Sequence, residues 1–369
     1  MRTPILIFGL IVFFFASCSL VYAQPFEEIE IATGADPHWS PDGTKLAYVY
    51  HAALYVANAN GEGEPQKIEE LPENAEGFAW LDSNEFLVWG RDYGREAGGM
   101  LHKSNWIHAI NKNGEKRSIA RDKEIAEDSK PHEIPLISGL TILNDGTIGY
   151  WETPMGVEDE WENTNKVFHI IKQGKLPPDS AVKQLQAVWH YGGIYSRGGK
   201  QVYPEQGIWL ESVDGTINKK VSSCDHCSFP VLSPDGTKIL VVCGAKCPTC
   251  ILDLNGNESC VGKEPIDPSD PMDTVFIRGN VNGLPVWSPD GEKIAYGYHW
   301  YKPVMEGYDD VDIIEITSDI YIENWDGSGR IQVTDTPDIA EGGPVWSPDG
   351  SKIACTDSKT AKIFVIKLR

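Results

Sequence analysis

The 369-residue sequence is poor in basic side chains, because 32 Lys and Arg stand against 54 Asp and Glu and the formal net charge is −22. This deficit of positive charge argues against nucleic acid and anionic membrane surfaces as partners. After residue 23 no apolar run is long enough to cross a membrane as a helix. A Ser-His-Asp set, a phosphate-binding loop, a dinucleotide fingerprint and a His-Glu-x-x-His helix are also missing. The sequence therefore carries no motif of these enzyme classes.

The first 23 residues have the pattern of a secretory signal peptide. Arg2 precedes an apolar run over residues 4–15, and a small-residue cleavage site ends at Ala23. We therefore expect a mature chain of residues 24–369 that is secreted or periplasmic and has no transmembrane segment. The alternatives are an uncleaved anchor and lipidation at Cys18, although the residues before this cysteine fit a lipoprotein signal poorly.

A Trp-Ser-Pro-Asp-Gly repeat dominates the rest of the chain. It is intact at residues 39–43, 287–291 and 346–350, and at residues 232–236 Leu replaces Trp. In each copy Pro presets φ, Asp accepts local backbone bonds, and Gly supplies the positive φ that closes a hairpin. An apolar run follows each copy, so both faces of the next strand should be covered. A buried hairpin that recurs in this way predicts the small stacked sheets of a propeller.

Pairing these turns with a second set of Asn/Asp-Gly turns divides the chain into seven units of four strands, A to D. The weakest unit has residues 188–191 as strand A, a turn at 192–193 and strand C at 208–210, so six units remain an alternative. The last unit lacks a fourth strand, and the segment 26–33 has no other partner. We expect this segment to close the ring, because an open ring exposes strand edges. The prediction is an all-β fold, a β-propeller of seven four-stranded blades closed by the N-terminal strand.

The Pro-x-Trp-Ser-Pro-Asp-Gly-x-Lys-Ile-Ala-Tyr pattern and the sequence of residues 322–334 resemble the TolB-like, WD40-like (PD40) β-propeller repeat family. The resemblance covers residues 24–369 and implies one propeller domain. The chain is also similar to the propeller part of dipeptidyl-peptidase IV-type proteins. It has no Gly-x-Ser-x-Gly elbow, so the resemblance does not imply their hydrolase activity. The helical N-terminal domain of TolB is not evident either, so a role in envelope assembly is not implied.

Long connections between strands B and C are the first candidates for function, because loops gathered on a rigid scaffold often carry it. We expect such loops at residues 91–105, 152–166, 197–207, 244–250 and 299–318. They hold aromatic and charged side chains that could bind a protein, a peptide or a carbohydrate: Arg91, Tyr93, Trp151, Trp161, His299, Trp300, Tyr301 and Asp309. The opposing interpretation is that these insertions pack on each other and bind nothing. The acidic residues at 309–315 could hold Ca²⁺, but the spacing is not that of an EF-hand and solvated charge is favoured.

Six of the seven cysteines in the mature chain lie within residues 224–260. Cys224-x-x-Cys227 and Cys247-x-x-Cys250 are separated by 19 residues, which is the spacing of a four-cysteine zinc site. Antiparallel neighbouring strands should bring both pairs to the same end of one sheet. Disulfides are the competing interpretation and are favoured in an exported protein, and a redox role is a third. Cys355 is expected to be a buried core thiol.

We predict an exported, monomeric, non-enzymatic binding or scaffold protein whose ligand face is built by the B–C connections. No catalytic residue is identified. The alternative is a metal-dependent polysaccharide lyase or hydrolase that uses the central channel. Some propellers of this repeat class are pectin-oligomer lyases that hold a metal through His, and His38, His190 and His299 could converge. Several His around one metal would favour the lyase, and aromatic side chains would favour the binding module.

Overall fold

The computed structural model describes a chain built from β-strands. The described residues are 26–96, 99–121, 136–143, 146–153, 167–172, 185–190, 196–197, 200–201, 207–212, 216–223, 227–242, 249–261, 285–305, 311–336 and 339–368. These ranges contain 28 strands and no helix. The strands form seven sheets of three or four strands and one two-stranded ribbon. The predicted all-β propeller fold is confirmed.

Seven sheets follow one another along the chain. The first contains β2 (Ala35–Trp39), β3 (Lys45–Tyr50), β4 (Ala53–Asn58) and β5 (Gln66–Glu70). The second contains β6 (Ala75–Trp80), β7 (Glu85–Glu96), β8 (Gly99–Asn111) and β9 (Lys116–Arg121). The third contains β10 (Leu136–Ile142), β11 (Ile148–Thr153) and β12 (Val167–Lys172).

The fourth sheet contains β13 (Leu185–His190), β16 (Gly207–Ser212) and β17 (Asn218–Ser222), and β14 (Ser196–Arg197) and β15 (Lys200–Gln201) form the ribbon. The fifth contains β18 (Ser228–Leu232), β19 (Lys238–Val242), β20 (Thr249–Asp253) and β21 (Glu258–Val261). The sixth contains β22 (Val286–Trp287), β23 (Lys293–Met305), β24 (Val311–Asn324) and β25 (Ile331–Gln332). The closing sheet contains β26 (Glu341–Trp346), β27 (Lys352–Asp357), β28 (Lys362–Lys367) and β1 (Glu27–Thr33).

The N-terminal strand closes the ring as predicted. β1 pairs antiparallel with β28, from Glu27 opposite Lys367 to Thr33 opposite Lys362. Two exposed ion pairs accompany this register, because the Lys367 and Lys362 ammonium groups lie 2.7 and 2.8 Å from the carboxylates of Glu27 and Glu30. The closing sheet therefore joins the two ends of the described chain.

The four Ser-Pro-Asp-Gly turns repeat one hydrogen-bond pattern. In the last copy the Ser347 hydroxyl donates to Asp349 Oδ1 at 2.6 Å and accepts from the Lys352 backbone N–H at 2.9 Å. The other three copies form the same two bonds. The turn glycine has φ between 68° and 72° in every copy, a region that favours glycine. The motif thus fixes the same tight hairpin four times.

Indole hydrogen bonds connect five consecutive sheets. The Trp39 N–H donates to the Val345 carbonyl at 3.0 Å, which links the first sheet to the closing sheet. The same bond recurs at three further junctions between neighbouring sheets. In each, the indole donates to the carbonyl of the residue that precedes the first position of the turn motif in the preceding sheet. The bonds are Trp80 to His38 at 2.9 Å, Trp346 to Val286 at 3.3 Å and Trp287 to Val231 at 3.1 Å. The donors end at the fifth sheet, where Leu232 replaces Trp.

Apolar clusters fill the spaces between neighbouring sheets. One cluster joins the first and second sheets around Leu54, Phe78 and Val88. Another joins the sixth and closing sheets around Ile320 and Ile353. Similar clusters lie between the closing and first sheets, the second and third, the fourth and fifth, and the fifth and sixth. The first, second, fifth, sixth and closing sheets are thus covered on both faces by their neighbours, as the continuous apolar runs predict.

Two features of the fold differ from the sequence prediction. The third and fourth sheets have three described strands where four were expected. In the fourth sheet, β13 pairs directly with β16, with Val188 opposite Trp209. The segment 188–191 is predicted as strand A, yet its described residues, 188–190, lie beside the strand predicted as C. The prediction took Gly192 and Gly193 as the A–B turn from composition alone, and these glycines lie outside the described residues.

Candidate functional site

Two long β-hairpins extend from the end of the propeller that is opposite the Ser-Pro-Asp-Gly turns. Strands β7 and β8 have 12 and 13 residues, and β23 and β24 have 13 and 14. The matching strands of the first sheet have six each. Pairing continues to Glu96 opposite Gly99 in one hairpin and to Met305 opposite Val311 in the other. The expected loops at 91–105 and 299–318 are therefore wrong, because the described parts of both segments, residues 91–96, 99–105, 299–305 and 311–318, are paired strands.

Both hairpins extend beyond the strands that flank them in their own sheets. Within the described residues, β6 pairs with β7 as far as Gly90, and β9 pairs with β8 as far as Trp106. In the sixth sheet, β22 reaches Ala295 and β25 reaches Tyr321, with one further bridge between Ser318 and Ala340. Beyond these positions each hairpin continues as a two-stranded ribbon. We call residues 91–105 and 299–318 the second-sheet arm and the sixth-sheet arm.

Ion pairs hold the base of the second-sheet arm. The Arg91 guanidinium lies 2.8 Å from the Glu76 carboxylate of β6, and both side chains are partly exposed. On the other side Arg121 of β9 pairs with Asp92. These contacts attach the arm to strands on both of its sides. Arg91, predicted as a ligand-binding residue, thus already has a carboxylate partner.

The predicted ligand-binding residues fall mainly on the two arms. Tyr93 lies opposite His102, and His299, Trp300 and Tyr301 lie opposite Ser318, Thr317 and Ile316. Trp151 lies on β11 opposite Phe168, while Trp161 and Asp309 lie outside the described residues. In the ring the first and closing sheets stand between the second and sixth sheets. The two arms are thus held on separate sheets of one scaffold.

Cys227 and Cys250 meet at one end of the fifth sheet. Both are buried in the cluster between the fourth and fifth sheets. Cys227 takes part in a disulfide, and Cys250 is a thiol on β20 that lies opposite Cys260. Cys224 and Cys247 lie outside the described residues. The four-cysteine zinc site remains a prediction.

The histidines proposed for a lyase metal are placed on three different sheets. His38 lies on β2, where its ring is 3.2 Å from the Asp36 carboxylate and 4.5 Å from the Phe78 ring. His190 lies on β13 and His299 on β23. No group of three or more His, Cys, Asp or Glu side chains suited to a metal ion occurs in the described part of the chain.

An acidic seam lies between the sixth and closing sheets and consists of the buried Glu341 and Asp357 and the half-buried Asp319. The Glu341 side chain is fully buried, and Thr336 donates a hydrogen bond to its Oε1. Its Oε2 is buried and has no hydrogen-bond partner among the described residues. Burial raises the pKa of Glu341 to about 7, and burial also raises the pKa of Asp319. Glu341 is therefore a group that holds a proton close to neutral pH.

The acidic seam was not predicted from the sequence repeats. Glu341 lies opposite Asp357 in the closing sheet, and Asp319 belongs to β24 of the sixth sheet. Burial opposes ionisation of Asp357, but hydrogen bonds from Thr360 and from nearby backbone N–H groups lower its pKa. The only signal in the sequence is an acidic residue inside Ile-Ala-Glu-Gly-Gly-Pro, and the other turn copies do not repeat it.

The chain was compared with family models and with known proteins. No family model matches the chain. An uncharacterized protein of Agrobacterium fabrum (strain C58) is 24% identical over 281 residues, which cover 70% of this chain and 83% of that protein. The PD40 assignment therefore remains a prediction, while the β-propeller class is defined by the strand order.

Three solved structures resemble the chain. A protein provisionally designated TolB from Agrobacterium tumefaciens is 15% identical, with a TM-score of 0.39 and coverage of 94% of this chain and 92% of that one. Oligogalacturonate lyase from Vibrio parahaemolyticus is 13% identical, with a TM-score of 0.34 and coverage of 90% and 77%. The β-propeller domain of Myceliophthora thermophila Cps50 (Swd1) is 10% identical, with a TM-score of 0.46 and coverage of 93% and 98%. These scores carry no argument about activity.

The described residues include no helix that is long and apolar enough to span a bilayer.

Proposed function

We propose that the protein is an exported, non-enzymatic binding protein that uses its two arms to hold a polypeptide partner. One observation carries the proposal: on a ring of short strands, the hairpins of the second and sixth sheets alone run to 12–14 residues within the described chain. Long elements on a rigid scaffold are common binding sites. The leader at residues 1–23 supports export.

The backbone of the arms supports a polypeptide ligand over a carbohydrate. Beyond Gly90 and Trp106 the second-sheet arm has N–H and C=O groups on its outer edges, where pairing to β6 and β9 has ended. Such edges can accept an extended segment as an added strand. In the sixth sheet the edge of β24 is still bonded at Ile320 and Ser318, so the arm has the same form only in the described strand residues before Ser318. A partner segment would therefore be recognised mainly through its backbone, with its side chains adding selectivity.

The two arms differ in net charge and should therefore bind partner segments of different charge. Residues 299–318 contain Glu306, Asp309, Asp310, Asp312 and Glu315 but a single Lys, whereas residues 91–105 contain two Arg and one Lys against one Asp and one Glu. An acidic sixth-sheet arm together with a nearly neutral second-sheet arm favours a partner that carries a basic segment.

Shortened arms provide the test. In one variant residues 93–103 are replaced by Asn-Gly, which keeps the Arg91–Glu76 and Asp92–Arg121 pairs. In the other, residues 301–316 are replaced by Asn-Gly, which keeps the Ser318 hydrogen bond to the Glu341 carbonyl. Asn-Gly is suited to a two-residue hairpin turn. A turn-face substitution, Lys293→Gln, is the control for general effects of mutation.

A random-peptide display library is selected on the mature protein, and the enriched peptides are measured against all four proteins. We expect binding to the mature chain and to Lys293→Gln, and loss of binding in one or both shortened variants. Equal binding to all four proteins would contradict the proposal. So would cleavage of polygalacturonate by the mature protein, since this would support the lyase alternative.

A further inference from the structure

In the closing sheet two lysines lie directly opposite each other, whereas the equivalent positions of the other three turn-motif sheets have no such lysine pair. After each Ser-Pro-Asp-Gly turn, a lysine begins the next strand, and in three copies its cross-strand partner is Asn or Asp (Lys45–Asn58, Lys238–Asp253 and Lys293–Asn324). In the closing sheet Lys352 lies opposite Lys367. Like charges directly opposite each other destabilise a sheet. Without a compensating anion, this pair costs the closing sheet stability.

Neighbouring groups compensate only part of this charge. The Lys367 ammonium lies 2.7 Å from the Glu27 carboxylate, and both side chains are exposed. The Lys352 ammonium lies 5.6 Å from the centre of the Trp39 ring. The charge of Lys352 also interacts with that of Asp349 on the preceding turn, but Ser347 and Ser351 donate hydrogen bonds to this carboxylate, and Lys352 forms no ion pair in the described part of the chain. Lys352 is therefore the cation of this pair that can still take an anionic partner.

A small open pocket lies beside the two lysines, at the junction of the closing and first sheets. Its other wall is formed by two turns of the first sheet, with Gly43 and Thr44 from one and Asn58, Ala59 and Asn60 from the other. Both turns lie at the end of the propeller opposite the arms. We call this site the seam pocket.

The polar groups of the first sheet are compatible with an anion in the seam pocket. The Asn60 amide oxygen accepts from the Glu62 N–H at 3.1 Å, so the group that Asn60 can offer a ligand is its amide nitrogen, a donor. Asp42 is the carboxylate of the other turn, the one that contributes Gly43 and Thr44 to the pocket. Its Oδ1 accepts from the Ser40 hydroxyl at 2.6 Å and from the Thr44 hydroxyl and N–H at 2.7 and 3.0 Å. Asp42 Oδ1 is thus occupied by three donors of its own turn.

We propose that the seam pocket binds one oxyanion of the phosphate or sulfate type, held by the ammonium groups of Lys352 and Lys367 and by the amide of Asn60. Oxyanions accept several charge-assisted hydrogen bonds at once, which suits two neighbouring ammonium groups. The bound anion removes the lysine repulsion and connects the closing sheet to the first sheet. Because it binds the folded chain, it stabilises the ring at the place where the chain closes.

The test measures binding of inorganic phosphate, and separately of sulfate, to the mature chain by titration calorimetry at constant ionic strength. We expect one site per chain in the unmodified protein. Lys352→Gln should weaken binding about ten-fold or more, because one charge-assisted contact is lost. Lys293→Gln is the matched control, since this lysine has the same position in the repeat but lies opposite Asn324. It should bind as the unmodified protein does.

Thermal unfolding gives a second readout. Phosphate and sulfate raise melting temperatures generally, because they are excluded from protein surfaces. The proposal requires a rise in the unmodified protein and in Lys293→Gln that exceeds the rise in Lys352→Gln. Equal rises in all three proteins, or no heat of binding in the unmodified protein, would overturn it. A preference between the two anions would identify the natural oxyanion and would leave the proposal standing.

Discussion

The indole N–H of Trp39 donates a 3.0 Å hydrogen bond to the carbonyl of Val345, across the junction where the ends of the propeller meet. Val345 directly precedes Trp346, which donates in turn to Val286 of the sixth sheet. In these repeats the Trp indole therefore donates to the preceding sheet, and the carbonyl of the residue before that Trp accepts from the following sheet. This arrangement explains why Trp opens the turn motif: the indole packs between sheets and also donates a hydrogen bond to the neighbouring sheet.

Trp39→Phe should destabilise the fold by about 1–3 kcal/mol, since a partly buried carbonyl loses its donor and the smaller ring leaves space. Trp287→Phe should cost a similar amount, because it removes the equivalent bond to Val231. The two bonds lie in different junctions, so the costs should add in the double variant. Urea unfolding monitored by circular dichroism measures all three. A cost within experimental error of zero for both single variants would show that the indole bonds contribute nothing.

Gly350→Ala should destabilise the closing sheet through its backbone alone. Gly350 has φ near 70°, and a Cβ there would lie 3.8 Å from Pro289, an ordinary contact distance. The expected cost is about 1 kcal/mol, the usual penalty for Ala in this region. Gly342→Ala in the same sheet is the control, because a Cβ there meets nothing within 4 Å. Equal melting temperatures of the two variants would contradict this explanation.

The acidic seam should make stability fall as pH rises toward neutrality. The folded-state pKa of Glu341 is about 7, above the ordinary value of 4.5, so the folded chain binds more protons than the unfolded chain between these values. The contribution of the protonated carboxyl is complete below pH 4.5 and is lost as pH rises to about 7. The shift corresponds to about 3 kcal/mol.

Glu341→Gln removes this titration while keeping the shape of the side chain. Relative to the unmodified protein, the variant should become more stable as pH is raised from about 5 to 8. Asp319, Glu28 and Cys355 interact with the charge of Glu341, so the difference between the two proteins reports Glu341 together with its coupling to these neighbours. Parallel stability profiles over this range would exclude a raised pKa at Glu341.

The fifth-sheet cysteines should be closed to zinc in the oxidised protein. Cys227 is disulfide-bonded, and a disulfide sulfur cannot supply the thiolate that zinc requires. We expect less than stoichiometric zinc in protein purified without reductant, and zinc uptake only after reduction. Elemental analysis with thiol titration before and after reduction measures this. One zinc per chain in the oxidised protein, with thiols that react only after chelation, would instead establish the four-cysteine site.

The repeat made the propeller predictable, because its signals are local. Ser347, Asp349 and Gly350 each act within one turn, and the apolar run after them marks a buried strand. The closing role of residues 26–33 followed from counting strands. These inferences needed no contact between distant parts of the chain.

The arms were misassigned because their sequences resemble loops. Glu96-Ala-Gly-Gly and Glu306-Gly-Tyr-Asp-Asp contain turn residues, and a ribbon beyond the sheet has no buried face to impose alternation. Their pairing, from Asp92 opposite Ser104 to Glu96 opposite Gly99, is a property of the backbone. The acidic seam was missed for another reason, because Glu341 and Asp319 meet only when two sheets pack.

Hydrogen exchange tests the central claim, that the arms bind a polypeptide, most directly. A peptide selected on the mature protein is added, and amide exchange is followed along the chain by mass spectrometry. The account predicts slower exchange in residues 91–105 or 299–318, because an added strand pairs with their edge N–H groups. Exchange at the turns around Gly43 and Gly350 should stay unchanged. Protection confined to those turns, with no change in either arm, would contradict the account.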